Sequence, residues 1–450
     1  MAARPARSSR ASMLPIQPVV NTPESDVSEE SVLPEDALRR VDDLGGAHLL
    51  VGIPCFDNAD TIGGVVIAVE AGLRKQFPDL RAVICASDGG SSDGTLDAVA
   101  EAGVGRRTQR YLIPPGSAVP GKVSFRYGGP SGKGSAVRAI FEVARRLDVR
   151  ACAIVDADLR SITPYWIDRL LAPVVHHGYA FVAPVYARHK HDGTITNALA
   201  YPLTTTLYGQ RIRQPIGGEF AFSGALAARY AEGDVWGTEV ARFGIDVWLT
   251  TMAVVEGWKT CQSILGAKLH DPKDPGRDLA PMFQQVVGTL FSLAARNAER
   301  WLPVDGVTDP PTLGFESEFA TEPVEVSLDD LARGFAEGRE RYRERWTTVL
   351  SDEPLAAALN ADPAEPILDL EPWFLALYDY LAAYRTATDG PNLVDSLVPL
   401  YFARTATFVR QTLDADQEEA ERLIEAGVDV AVALKPHLRD RWTAEVTASR

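Results

Sequence analysis

Between residues 46 and 300 short apolar runs rich in β-branched residues alternate with longer stretches whose apolar residues recur at helical spacing. "HLLVGIP" (48–54) and "RAVICAS" (81–87) read as strands, with "TIGGVVIAVEAGLRKQF" (61–77) as the helix between them. "SAVRAIFEVARRL" (135–147) reads as a later helix and "ACAIVDAD" (151–158) as the next strand. Parallel neighbours need a crossover, usually a helix, so this alternation predicts an α/β domain around a mostly parallel, Rossmann-like sheet. From about 300 the strand pattern ends. "LDDLARGFAEGRERYRERWTTVL", "EPWFLALYDYLAAY", "LVDSLVPLYFARTATFVRQTL" and "EEAERLIEAGVDVAVAL" carry helical spacing broken by Pro, Asp and Gly, which predicts a mostly helical region over 301–450. The first 40 residues, rich in Pro, Ser, Glu and Arg without periodicity, read as a disordered tail, with a transit peptide as the alternative.

Composition narrows the function. A 450-residue chain with 46% hydrophobic and 24% charged residues can bury two or three cores. Its net charge of -16 argues against nucleic acid or an anionic membrane as the main partner, since both need excess Lys and Arg. Any anionic substrate must then be held by local cations. No uncharged apolar stretch reaches eighteen residues, and the N-terminus lacks the apolar core of a secretory signal. Cys55, Cys85, Cys152 and Cys261 are widely spaced and read as buried free thiols of a reducing compartment. A cytoplasmic location with no integral membrane segment is the expectation.

The run "ACAIVDAD" ends in Asp156 and Asp158, two carboxylates where an ionised group is costly to desolvate. The other Asp-x-Asp, Asp414 and Asp416, lies between two charged helical stretches and reads as a solvated helix start. Asp156 and Asp158 instead close a buried strand, with Thr163 as the expected N-cap and Pro164 opening the next helix. Ligands of open parallel sheets bind beyond the carboxyl ends of strands. Positions i and i+2 there face one side and suit a hard divalent ion, with a solvated strand end as the alternative. Such an ion would neutralise a nucleoside-diphosphate leaving group.

Three further segments converge on that chemistry. "VGIPCFDNADTI" and "CASDGGSSDGT" follow the first two strands, so Pro54, Asn58, Ser87, Asp88 and Ser91 are expected to line a base and ribose pocket, a polar turn being the alternative. "GGPSGKGSAVRAI" places Gly129, Gly132 and Gly134 around Lys133 ahead of a helix, like an anion-binding loop without Walker spacing. His270 follows an apolar run and reads either as a third metal ligand or as an ordinary surface or core histidine.

The ordered set P-x-F-D-N-x-D-T-I, S-D-G-G-S-S-D-G-T, G-K-G, D-A-D, Q-P-I-G-G-E, G-I-D and H-D-P resembles retaining glycosyltransferases of the GT-A fold, the mannosylglycerate and glucosyl-3-phosphoglycerate or glucosylglycerate synthases. The resemblance spans about 48–300, and "QPIGGE" (214–219) with "RFGIDVWL" (242–249) is its most diagnostic pair. It implies a hexosyltransferase moving glucose or mannose from a GDP- or UDP-sugar to a small hydroxy acid such as glycerate, with retention, to make a compatible solute. It assigns Asp156, Asp158 and His270 to a Mg²⁺ or Mn²⁺ ion. Pro54, Cys55, Phe56, Asn58 and Ala157 fall to the donor, with Lys133 also on the donor side. The Ile216 carbonyl lies near the anomeric carbon in this scheme, Arg188, Thr196, Gly217, Gly218 and Glu219 hold the acceptor, and Asp246 is a carboxylate near both substrates.

Two departures from the pattern stand out. Asp57-Asn58 replaces a common Asn-Glu at the nucleotide base, and Asp271 follows His270 where relatives often have Arg, with Lys273 or Arg277 as substitutes. A phosphorylated, lipid or polysaccharide acceptor on the same core is the enzymatic alternative; a nucleotide-sugar-binding protein without activity is the other. "WFLALYDYLAAY" is expected to be a docked core helix, with self-association into a homo-oligomer as the alternative reading of its aromatic surface.

Overall fold

Strand β1 (Leu49–Cys55) is buried along its whole length, which explains why its sequence is a continuous apolar run rather than an alternating one: helices cover both faces. Leu49, Val51 and Ile53 enter one core while Leu50 enters the other, the period of two that a pleated strand imposes. The computed structural model describes residues 32–103, 113–270, 280–315 and 321–448. The further strands there are β2 (Ala82–Asp88), β3 (Gly121–Arg126), β4 (Ala151–Ile154), β5 (Phe181–Ala187), β6 (Phe220–Ser223), β7 (Thr260–Ala267) and β8 (Thr312–Leu313). They form one sheet in the order β3-β2-β1-β4-β6-β5-β7-β8. All pairings are parallel except those of β6, which runs against both β4 and β5.

The order reverses between β1 and β4. β2 and β3 extend the sheet to one side of β1, and the chain then crosses over to lay β4 on the other. A crevice opens at such a switch point beyond the carboxyl ends of the two strands. Asp156 and Asp158 follow β4 directly into it.

Helices α1 (Glu35–Leu44), α2 (Ala59–Gln76), α3 (Thr95–Glu101), α4 (Lys133–Arg146), α5 (Pro164–His177), α6 (Tyr201–Tyr208), α7 (Gly224–Ala231), α8 (Ile245–Val255), α9 (Ala280–Arg296) and α10 (Ala298–Trp301) surround the sheet. α2 and α5 pack together over one face, and α4 packs with α7 over the other. The C-terminal region contributes α11 (Leu328–Val349), α12 (Asp352–Asn360), α13 (Leu370–Tyr384), α14 (Gly390–Asp395), α15 (Val398–Gln411), α16 (Gln417–Ala433) and α17 (Lys435–Ala448). The expected α/β architecture with a helical C-terminal region is thus the one the chain adopts. Asp416 caps α16 in a reciprocal capping box with Glu419, the solvated helix start expected of the second Asp-x-Asp.

Several local expectations are corrected. Helix α1 occupies residues assigned to the tail, because Ala37 and Val41 bury a small apolar stripe; residues 1–31 lie outside the described part. Thr163 stands at the N-cap of α5 but makes no capping hydrogen bond, so Pro164 alone marks that start. The short strand β8 adds to the sheet edge beyond residue 300, and α14 and α15 divide what reads as one helix. The expectation of a docked core helix holds for α13, since Trp373, Phe374, Tyr378 and Tyr380 are all buried. One apolar cluster runs from Val32 through the sheet to Trp442, so the helical region shares a core with the sheet rather than hanging from it.

Close backbone packing around α4 sets a test. A Cβ on Gly134 would lie 1.8 Å from the Val240 carbonyl oxygen, so Gly134→Ala must displace the 240–242 segment. Gly64, exposed on α2, has nothing within 4 Å of its Cβ position. Urea unfolding is expected to show Gly134→Ala destabilised by about 1–3 kcal/mol. Gly64→Ala should be stabilised by about 0.5–1 kcal/mol.

Candidate active site

Beyond β1 and β4 lies a cavity of about 620 Å³. β1 delivers Pro54, Cys55, Phe56 and, in the turn after it, Asn58; the segment after β4 delivers Asp156, Ala157 and Asp158. Lys133 enters from the start of α4, Arg188 and Thr196 from the segment after β5, and Ile216, Gly217 and Gly218 from the turn before β6. Asp246 comes from the first turn of α8 and His270 from beyond β7. Seven stretches, the first and last more than 200 residues apart in sequence, therefore meet around one space.

Ser87, Asp88, Ser91 and Glu219 were expected at the ligand but stand behind the cavity wall, each nearly or fully buried. Asp88 accepts hydrogen bonds from the backbone N–H groups of Gly90 and Ser91 and from the Ser91 hydroxyl. Ser91 Oγ in turn accepts from the Asp57 N–H at 2.8 Å, Thr95 Oγ1 from the Asn58 N–H at 2.8 Å, and Asp57 Oδ1 from the Ser92 N–H at 2.9 Å. Asp57 takes a positive φ of 50°, a conformation Asp tolerates better than most residues. The polar segment after β2 thus acts as a brace for the loop that presents Phe56 and Asn58.

The glycine loop also differs from the expectation of an anion nest. Gly132 N–H donates to the Tyr127 hydroxyl at 3.0 Å and Gly134 N–H to the Arg242 carbonyl at 3.2 Å, so both donors are spent within the protein. Its glycines allow contact with the 240–242 backbone, and what it gives the cavity is the Lys133 ammonium. Gly218 serves a similar end at φ 93°: a Cβ there would fall 2.4 Å from Asp156 Oδ2. The "IGG" turn can lie on the carboxylate only because it has no side chain at that point.

Asp156 is the centre of a buried charge cluster. Lys133 Nζ lies 2.9 Å from Asp156 Oδ1 and 3.2 Å from Asp246 Oδ2, while Lys268 Nζ lies 3.1 Å from Asp156 Oδ2. Lys268 also donates at 2.9 Å to the Gly217 carbonyl and to the Glu219 carboxylate. The Tyr186 hydroxyl donates to Glu219 from the other side. Burial alone would raise the Asp156 carboxyl, yet the two lysines hold it well below the usual carboxylate range. Glu219, fully buried and close to Asp156, is pushed well above that range despite Lys268. Burial likewise pushes Asp246 up, with Lys133 opposing. Burial tends to lower the Lys268 ammonium, but Glu219 and Asp156 outweigh it and keep it charged.

The segment after β5 has a different character. Arg188 is mostly buried, and burial lowers its guanidinium. Its NH1 reaches Asp192 only at 3.6 Å, and its buried Nε has no hydrogen-bond partner. His270 Nε2 lies 3.5 Å from the same Asp192 carboxylate. The helical region holds this segment in place. Lys190 Nζ donates to the Thr412, Leu413 and Ala415 carbonyls at the end of α15, His191 Nε2 meets Thr412 Oγ1 at 3.0 Å, and Thr194 Oγ1 meets the Tyr401 hydroxyl at 2.6 Å.

Among the described residues no three His, Cys, Asp or Glu side chains are grouped so as to hold a metal ion by themselves. Asp156, expected as a ligand, is engaged by two lysines instead. Asp158 and His270 line the same cavity. That donor pair fits a hard ion that takes the rest of its shell from phosphate oxygens and water. Asp271, Lys273 and Arg277 lie outside the described residues.

The sequence reading missed Lys268, Tyr186, Asp192 and Arg242. Lys268 had a signal: Lys268 and His270 follow β7 at i and i+2, the same pattern as Asp156 and Asp158 after β4. Tyr186 and Asp192 flank Arg188 but had no marker of their own. Arg242 could be seen only once the 240–242 segment was packed on α4.

No protein-family model matches the chain, and no curated protein matches it. Among solved structures, it is similar to glucosyl-3-phosphoglycerate synthase from Mycobacterium tuberculosis in complex with phosphoglyceric acid, at 19% identity and a TM-score of 0.39 over 57% of this chain and 83% of that one. The same synthase with Mg²⁺ and uridine diphosphate gives 20% identity and a TM-score of 0.40 over 57% and 83%. Its complex with Mn²⁺, UDP-glucose and phosphoglyceric acid gives 20% and 0.40 over 56% and 82%. Among the described residues no helix is long and apolar enough to cross a membrane.

The charge cluster makes unequal demands on its members. Replacing Lys268 by Met would leave Asp156 with one cation and Glu219 with none, at an expected cost of about 3–5 kcal/mol in urea unfolding. Glu219→Gln keeps an acceptor oxygen for Lys268 and removes a carboxyl already driven toward its neutral form, so its cost should be clearly smaller. Equal costs for the two variants would show that Lys268 is not the element holding the cluster together.

Proposed function

We propose that the chain is a metal-assisted hexosyltransferase that moves glucose or mannose from a nucleoside diphosphate sugar to a small hydroxy acid of the glycerate type, with retention at the anomeric carbon. One observation carries the reading. In a chain of net charge -16, Lys133, Arg188, Arg242 and Lys268 line a single cavity at the switch point of the sheet. An anionic donor and an anionic acceptor are the ligands that such a grouping suits.

The residues divide between the two. Lys133 is placed to trade its contacts with Asp156 and Asp246 for a phosphate oxygen, and Lys268 would keep Asp156 paired as it does so. The exposed ring of Phe56 and the Asn58 side chain line the cavity and would meet the base and ribose. Asp158 and His270 would hold a divalent cation, which when bound neutralises charge on the diphosphate. Arg188, with a free buried Nε and a loose contact to Asp192, has donors left for a bidentate bond to a carboxylate. Asp246, next to Lys133 and lining the cavity, would orient sugar and acceptor hydroxyls. The departing diphosphate would accept the acceptor's proton.

The deciding experiment is a matrix of UDP- and GDP-sugars against glycerate, 3-phosphoglycerate and lactate with Mg²⁺ or Mn²⁺ present. Transfer to none of them, with UDP and GDP both failing to bind, would overturn the reading.

Two variants separate the roles. Arg188→Ala should raise the acceptor KM or lower kcat/KM by about 10- to 150-fold, the loss of a charged hydrogen bond worth about 1.5–3 kcal/mol. Donor affinity measured by calorimetry should stay within about twofold in that variant. Glycerol should replace glycerate poorly.

Asp158→Ala should abolish Mn²⁺ binding in the presence of UDP, read by electron paramagnetic resonance, and EDTA should mimic it in activity. Asp414→Ala, at the solvated start of α16, is the silent control. Unchanged Mn²⁺ binding in Asp158→Ala would remove that residue from the site.

A further inference from the structure

A second cavity of about 370 Å³ lies between α8 and α9 on the sheet side and α13 and α14 on the helical side. It adjoins the first, for Arg242 and Gln285 line both. Its volume falls within the ~300–1,000 Å³ of small-molecule pockets. Two features of α9 suggest that this space is kept open. Gly288 sits inside the helix, lines the cavity, and has nothing within 4 Å of its Cβ position. A mid-helix glycine costs about 0.8–1 kcal/mol against Ala, and here neither packing nor a positive φ asks for one. The neighbouring Thr289 hydroxyl, 5% exposed and also lining the cavity, has no hydrogen-bond partner in the protein.

The lining narrows the ligand. Two acidic side chains, Glu239 and Asp395, balance Arg242 and Arg296, which disfavours a second anion. Threonine, serine and glutamine side chains between them are unsuited to an acyl chain. Two aromatic rings, Trp248 and Tyr384, and several aliphatic side chains, Val235, Val240 and Leu293 among them, complete the wall and would meet the apolar faces of a ligand ring. Hydroxyl and amide groups with aromatic faces and no net charge match a neutral, hydroxyl-rich ring.

We propose that the second cavity is a subsite for a hexosyl group carried by the acceptor, so that the chain also glycosylates a hydroxy acid that already bears one sugar. This inference rests on the transferase reading above. The acceptor's carboxylate would lie on Arg188 and its sugar would extend past Arg242 and Gln285. A free hydroxyl of that acceptor forms the new bond to the donor's anomeric carbon as the bond from that carbon to the diphosphate oxygen breaks. Its proton leaves with the nucleoside diphosphate.

Saturation-transfer NMR on the full chain with maltose as a neutral probe tests the subsite without turnover. Wild type should show transfer to maltose, reduced at least tenfold in Gly288→Phe or, should that variant not fold, in Ser292→Phe, both of which fill the cavity. With a hexosylglycerate as acceptor, the same variants should raise KM at least tenfold while KM for glycerate stays within about twofold. No transfer to maltose in wild type, or transfer and KM unchanged in a folded variant, would overturn the subsite. Nucleotide binding keeps the two readings apart. If UDP and GDP bind but maltose does not, the subsite fails alone. If maltose binds and is lost in the variants while neither nucleotide binds, the transferase reading fails and the carbohydrate site stands.

Discussion

Asp156 held between two lysines is the contact on which the rest of the site depends. It ties the end of β4 to α4 through Lys133, to the segment after β7 through Lys268, and through Lys268 to Glu219 and the turn before β6. β4 and β6 are paired in the sheet, but neither the start of α4 nor the segment after β7 is joined to β4 by strand pairing. Buried ion pairs seldom add much stability over an apolar packing of equal volume, because desolvation offsets their attraction. Their use here is positional: a carboxylate with two cationic partners fixes where three loops end. Gly218 completes the device, since any side chain there would push the turn off the carboxylate.

A second constraint comes from the helical region. The 189–194 segment carries few apolar residues of its own, and its hold on the molecule runs through Lys190 at the end of α15, His191 on Thr412 and Thr194 on Tyr401. Thr412 and Tyr401 are fully buried, so the His191 and Thr194 contacts are made in a low-dielectric setting where they are strong and geometrically strict. The helical region therefore shapes the Arg188 side of the cavity as well as closing the core. Trp373 Nε1 donating to the Ala198 carbonyl and Lys435 donating to the Thr206 carbonyl extend that hold to the next helical turns.

What the sequence made legible follows from which forces act locally. Apolar runs and helical spacing located β1, β2, α2, α4 and α13, because burial on one or both faces leaves a periodic mark. The same logic placed Asp156 and Asp158 at a strand end, and fifteen of the residues singled out do line one cavity. Asp88, Ser91 and Glu219 show the limit of motif reading: a polar residue beside a ligand and one bracing the loop behind it look alike in sequence. The glycine loop shows another. Its glycines signalled phosphate contact, but the neighbour that requires them is the backbone at 240–242, over a hundred residues away. The link from α15 to the 189–194 segment depends on long-range packing that leaves no periodic trace.

The pairing of charges also bears on how an anion can enter so crowded a site. Four carboxylates, Asp156, Asp158, Asp192 and Asp246, line the cavity with four basic side chains, so on the proposed reading an incoming diphosphate would displace the existing partners of Lys133. Asp156 can release Lys133 because Lys268 remains. Asp246 is the other partner Lys133 would leave, and burial already pushes its carboxyl up with Lys133 opposing. Arg188 needs no exchange, since its Nε is unpaired and Asp192 retains His270. On the proposed reading, then, the donor side works by exchange within a ready-made charge cluster and the acceptor side by filling a donor left open. That asymmetry is what a site binding a multiply charged diphosphate beside a singly charged carboxylate requires.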